Sequence, residues 1–252
     1  MGSLDTSQSS PAYGQRFFPP LIDERARELP NRIIFSFAKT DDPSDGFLDV
    51  TALQFANAIN RAAWWIKSYL DKGSNYPTVG HLGPGGPRYQ ILRVALVKVG
   101  FKGLLISPRN SLKGDLNVID KRDCHIWLLP FQRLGNVEKI LKVRQMKIED
   151  VPELTYFLDE SPVSHHTYEK IFAEAQHDPF VTLHASGSTG LPKPIVLVHG
   201  LVATLDSQRF LVLVKGRILL LHLEDSRIFS AFLNFPVGYP KPSLEIELIF
   251  IN

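Results

Sequence analysis

Residues 186–193, Ser186-Gly187-Ser188-Thr189-Gly190-Leu191-Pro192-Lys193, concentrate the groups best suited to holding an anion. Gly187 and Gly190 allow backbone angles that a side chain would forbid. Consecutive N–H groups in such a turn form a concave anion nest. The hydroxyls of Ser186, Ser188 and Thr189 add donors, and Lys193 adds a positive charge. Together they suit a polyphosphate. The segment is not a Walker loop, which spaces its glycines more widely and places Lys-Ser/Thr directly after the second glycine, opening a helix. Here a proline precedes the lysine and an apolar, β-branched run follows. The competing reading is a surface turn rich in small polar residues. The strands expected on both flanks and the Gly-Leu-Pro-Lys ending weigh against it.

Other residues carry less chemistry. His165-His166 lacks partners at metal-ligand spacing and reads as surface loop, so no metal site is assigned. Cys124 has no evident catalytic partner and is expected to pack as a small buried apolar residue. Of Trp64-Trp65, one ring is expected to face inward and the other to cover surface. Arg109 is left open between contacting a ligand and capping a strand end. The glycine-rich stretch Gly83 to Pro87 reads as a strand-to-helix turn with no phosphate assigned.

The elements around the loop alternate. Thr51 to Lys72 is predicted as a helix, with Leu53, Ala56, Ile59, Ala63, Ile66 and Leu70 on one face. Thr51 and Gln54 form a capping-box pattern at its start, and Gly73 suits a left-handed residue past its end. Pro87 opens a second helix, closed by Gly100. A third is expected over Asn136 to Lys147 and a short one over Thr167 to His177. Strands are predicted over Thr78 to Leu82, Gly103 to Ser107, His125 to Leu129, Phe180 to Ala185 and Pro194 to His199. Val151 to His166 reads as a connecting loop. Repeated strand-helix-strand units imply an α/β fold with mainly parallel sheets flanked by helices.

The chain has 252 residues, enough for a substantial core, with 28 basic and 26 acidic side chains and a net charge of +2. That balance gives no case for nucleic acid or an anionic membrane. The most apolar run, Phe210 to Leu223, is interrupted by Lys215, Gly216 and Arg217 and is shorter than the roughly 20 residues a membrane helix needs. With one cysteine no intramolecular disulfide can form, which fits a cytoplasmic setting. Residues 1–16 are expected to form a flexible tail.

The segment from His184 to Pro194 resembles the phosphate loop of the adenylate-forming superfamily, which includes acyl-CoA synthetases, luciferases and the adenylation domains of nonribosomal peptide synthetases (NRPS). Asp49-Val50-Thr51 with Asn57 to Ala63, Tyr89 to Leu92 with Lys98-Val99-Gly100, and Ser107-Pro108-Arg109-Asn110-Ser111 resemble the fungal NRPS-like branch, in which adenylation, carrier and reductase domains follow one another. The resemblance covers Phe17 to His199 well. The group usually has threonine where this chain has Ala185. The lost hydroxyl removes one hydrogen bond to phosphate, worth about 0.5–1.5 kcal/mol.

The resemblance implies ATP-dependent activation of a carboxylic acid. The carboxylate attacks the α-phosphate, pyrophosphate leaves, and the acyl-adenylate passes to a carrier thiol. It implies that Ser186, Gly187, Ser188, Thr189, Gly190 and Lys193 bind the phosphates of ATP, with Mg2+ held mainly through the nucleotide. His222 would lie near the adenylate, against an equal reading as a histidine in an apolar strand. The phosphopantetheine is not on this chain, and a carrier protein or a complementary chain is the implied partner. The sequence contains no Tyr-Gly-x-Thr-Glu and no Thr-Gly-Asp segment, and no catalytic residue is assigned. The expectation is a partial, incomplete adenylation domain over residues 17–252, without the C-terminal lid, carrier or reductase. Weak or absent turnover is expected of it, the alternative being a non-catalytic remnant or a nucleotide-binding scaffold subunit.

Overall fold

A computed structural model of the chain describes residues 14–40, 42–70, 73–83, 86–133, 135–185 and 191–207. After helix α1 (Phe18–Glu28), strands β1 (Ile33–Ala38) and β2 (Phe47–Thr51) pair as an antiparallel hairpin, and α2 (Ala52–Leu70) follows directly. Strand–helix units come next: β3 (Thr78–His81) with α3 (Pro87–Val99), β4 (Lys102–Leu105) with α4 (Leu112–Lys121), β5 (Ile126–Leu129) with α5 (Val137–Leu141), and β6 (Lys147–Asp150) with the single turn α6 (Leu154–Phe157). A long connection carrying α7 (Phe172–Ala175) leads to β7 (Pro179–Ala185), β8 (Lys193–Val198) and α8 (His199–Ser207). The strands from β3 onward form one six-stranded sheet in the order β6-β5-β3-β4-β7-β8. All pairings in it are parallel except β7 with β8.

Local chemistry accounts for the main helices. At the start of α2, the Gln54 N–H donates to Thr51 Oγ1 at 3.2 Å and the Thr51 N–H donates to Gln54 Oε1 at 3.0 Å, the reciprocal pair the sequence pattern predicts. Pro87 sits in the first turn of α3, where its missing N–H costs nothing. Gly100 ends α3 with φ of 90°, and its N–H reaches back to the Leu96 and Val97 carbonyls.

The core lies on both faces of the sheet. On one face Phe55, Ile59 and Ile66 of α2 and Ile91, Val94 and Ala95 of α3 pack with Val79 and Leu128. On the other, Val118 and Ile119 of α4 and Val137 and Ile140 of α5 pack with Leu104, Trp127 and Leu129. Gly80 makes room for Trp127: a Cβ there would stand 2.2 Å from the indole ring. A satellite cluster of Phe180, Val181, Leu183, Leu197 and Val202 covers the β7–β8 end. Trp65 is buried and Trp64 is partly exposed, dividing the pair as expected, and Cys124 is fully buried.

Several expectations give way. The helix predicted to reach Lys147 stops at Leu141, where the Arg144 N–H turns back onto the Ile140 carbonyl. The chain from Lys147 becomes β6, because the open edge of β5 offers ladder partners that more helix would leave unmet. The helix predicted over Thr167 to His177 contracts to Phe172–Ala175. There, Tyr168 is drawn to His199 and Lys170 to Asp178. Gly73 is not left-handed. Its value is close approach, since a Cβ would stand 2.4 Å from the Gly100 carbonyl oxygen. Phe210 to Leu223 and most of the expected tail lie outside the described residues.

Candidate nucleotide-binding site

Ala185 pairs with Lys193 across the β7–β8 ladder, so residues 186–192 form the connection between these strands. β7 runs parallel to β4, and β4 to β3. The end of β7 at Ala185 and the start of β8 at Lys193 therefore lie at the carboxyl ends of the parallel strands, where open α/β sheets collect their ligands. Lys193 begins β8 and is exposed. Ser186, Gly187, Ser188, Thr189, Gly190 and His222 lie outside the described residues.

Both stems of the connection rest on α4 and the turn before it. On the departing stem, the Asn117 amide donates to the Pro192 carbonyl at 2.7 Å, and the Arg122 guanidinium donates to the Pro194 carbonyl at 3.0 Å. Pro192 also packs against Gly114. On the arriving stem, His184 Nε2 accepts from the Ser107 N–H at 3.1 Å and lies 3.3 Å from the Asn110 amide nitrogen. The Ser107 hydroxyl accepts from the Arg109 N–H, so the Ser107-to-Ser111 turn is tied within itself. Ser111 caps α4 by accepting from the Gly114 N–H at 3.1 Å.

Beneath the turn lies Asp115, 1% exposed. Its carboxylate accepts from the Asn110 amide and the Asn136 amide, both at 3.0 Å. Burial raises its proton affinity, while the Asn136 and Asn110 hydrogen bonds and nearby His184 oppose the rise. Burial lowers the His184 pKa, with Asp115 opposing. The Ser107 N–H requires an unprotonated Nε2, so the ring is held in one tautomer.

Sequence reasoning singled out residues 186–193 but assigned no role to His184, Asn110, Asp115 or Asn117. His184 and Asn110 stood inside segments already singled out. The other two carried no local signal, being a buried acid and an amide within a helix. Among the described residues, no three His, Cys, Asp or Glu side chains are grouped to hold a metal. His165 Nε2 sits 2.9 Å from Asp23 and the His166 ring packs on Trp64. Among those residues, no helix is long and apolar enough to cross a membrane.

No family model matches the chain. Over 209 residues it is 37% identical to the isocyanide synthase–NRPS hybrid crmA of Aspergillus fumigatus, covering 82% of this chain and 14% of that protein. Over 204 residues it is 35% identical to a carboxylic acid reductase of Neurospora crassa, covering 80% and 19%. The chain thus spans less than a fifth of the length of these curated relatives. Among solved structures, the N-terminal subdomain of Klebsiella oxytoca NpsA, in complex with 3-hydroxybenzoyl-AMSN, superposes with a TM-score of 0.55 at 17% identity, covering 73% of this chain and 41% of that one. With this fold and these relatives, the chain belongs to the adenylate-forming superfamily and matches the N-terminal part of a fungal NRPS-like adenylation domain.

Proposed function

We propose that the chain forms the phosphate-binding part of an NRPS-like adenylation protein that uses ATP to activate a carboxylic acid as its acyl-adenylate in fungal secondary metabolism. What supports this reading is the hairpin between Ala185 and Lys193, set at the carboxyl ends of the parallel strands with an exposed lysine at its foot. Ser186 to Gly190 supply backbone and hydroxyl donors to the β- and γ-phosphates, and Lys193 supplies charge. Mg2+ is bound chiefly through the nucleotide. His222 borders the adenylate. The relatives, a carboxylic acid reductase and an NRPS hybrid, fit a carboxylic acid that is handed to a carrier protein. A cytoplasmic setting is part of the same proposal.

Calorimetric titration of the 252-residue chain with Mg-ATP tests it. Binding is expected, and Lys193→Ala should weaken it about tenfold or more, the worth of one hydrogen bond to a charged group. Absence of binding by the wild type would sink the reading. The alternative is a nucleotide-binding scaffold without turnover. Binding accompanied by no acid-dependent pyrophosphate exchange would favour that scaffold role.

A further inference from the structure

We propose that α4 is a positioning element for the phosphate loop, with Gly114 and Asn117 fixing one stem and Asp115, through Asn110, fixing the other at His184. The inference rests on the nucleotide-binding reading of the β7–β8 hairpin, and it concerns only the stems and the helix beneath them.

Three residues of α4 suit a helix poorly. Gly114 stands in its first turns, where glycine is the least favourable residue after proline. Asp115 buries a carboxylate, which is costly unless hydrogen bonds compensate. Asn117 is a weak helix former within the helix. Gly114 and Asn117 find their reason in the hairpin above, and Asp115 in the turn that holds its other stem. A Cβ on Gly114 would stand 3.0 Å from Pro192 Cδ and 3.2 Å from its Cγ, so the missing side chain is what lets the proline ring settle. The Asn117 amide donates to the Pro192 carbonyl at 2.7 Å. Asp115 accepts from Asn110 and Asn136, orienting the Asn110 amide toward His184 Nε2. Arg122, just past the last turn of α4, donates to the Pro194 carbonyl. α4 therefore touches residues that follow the phosphate-binding stretch directly and, through Asn110 in the turn before it, the residue that precedes it. Preorganised donors bind a polyphosphate better because no ordering is left to do at the moment of binding.

Two variants of the full 252-residue chain separate positioning from folding. Gly114→Ala raises helix propensity while pressing on Pro192. Asn117→Asp keeps the side-chain shape but cannot donate to the Pro192 carbonyl. Mg-ATP titration, thermal unfolding and amide hydrogen exchange of the peptide covering residues 183–198 are measured for each. The expected result is about a tenfold loss of affinity in both, with the melting temperature of at least one held, and faster exchange in that peptide alone. If the wild type binds Mg-ATP and both variants bind it equally well, the inference is overturned while the nucleotide-binding reading stands. If the wild type fails to bind, that reading falls, and the exchange measurement decides the clamp alone: unchanged exchange in both variants overturns it.

Discussion

His81 and His199 are 3% and 1% exposed, and burial pushes both imidazoles down from 6.5 to about 4. His81 Nδ1–H donates to the Leu128 carbonyl at 2.8 Å. His199 Nε2 shares a hydrogen bond with the Tyr168 hydroxyl inside a ring of Phe17, Tyr168 and Phe180. The folded-state pKa lies below the unfolded one, so the unfolded chain binds more protons between these values. Stability is therefore full above pH 6.5, falls as the pH drops toward about 4, and changes no further through these groups below that. Each can contribute about 3 kcal/mol to the fall. Burial lowers His166 and His184 as well, which adds to the same slope. Urea midpoints measured across this range should show the decline, and His81→Gln should flatten it. A pH-independent midpoint would rule the account out. Sequence reasoning had weighed His165, His166 and His222 instead, because adjacency and motif position are visible in a string and burial is not.

At the scale of elements, the capping box before α2 was legible because both partners lie within one turn. Thr51→Ala should cost about 1 kcal/mol, read as a lower urea midpoint with an unchanged slope. An unaltered midpoint would show that packing of α2 alone sets its start. The bounds of α3 were legible for the same reason, through Pro87 and Gly100. The helix expected to run to Lys147 failed because the chain turns after Leu141 and enters β6 at Lys147, pairing with β5, a partner outside the sequence window. β5, Ile126-Trp127-Leu128-Leu129, was legible as an apolar run, since a strand buried on both faces carries little alternation. Helix α4 was not singled out, because its glycine, aspartate and asparagine contradict a simple apolar stripe. Gly114 and Asn117 meet the hairpin at Pro192, and Asp115 reaches it through Asn110.

At the scale of the whole molecule, Lys98 ties the N-terminal helices together. Its ammonium, fully buried on α3, lies 2.8 Å and 2.9 Å from the two Asp23 oxygens on α1 and 2.9 Å from Asn60 Oδ1 on α2. His165 joins Asp23, and the His166 N–H donates to Asn60, so the long connection is drawn into the same cluster. Removing one member strands the others. Lys98→Met should destabilise by about 3 kcal/mol, and adding Asp23→Leu should recover much of it, since a buried pair replaced by apolar residues is often near neutral. Denaturant titration of the single and double variants checks this, and a double variant no better than the single would refute it.

Local chemistry in the sequence by itself determined the α/β class, the start of α2 and both ends of α3, because caps and apolar periods act between near neighbours. The tertiary structure alone decided that α4 carries both stems of the loop, that β6 completes one edge of the sheet, and which histidines are buried. The contacts responsible join residues 75 positions apart, as Asn117 with Pro192 and Lys98 with Asp23 do. Such pairings gain their energy only after the chain has closed, so they leave no periodicity to read beforehand.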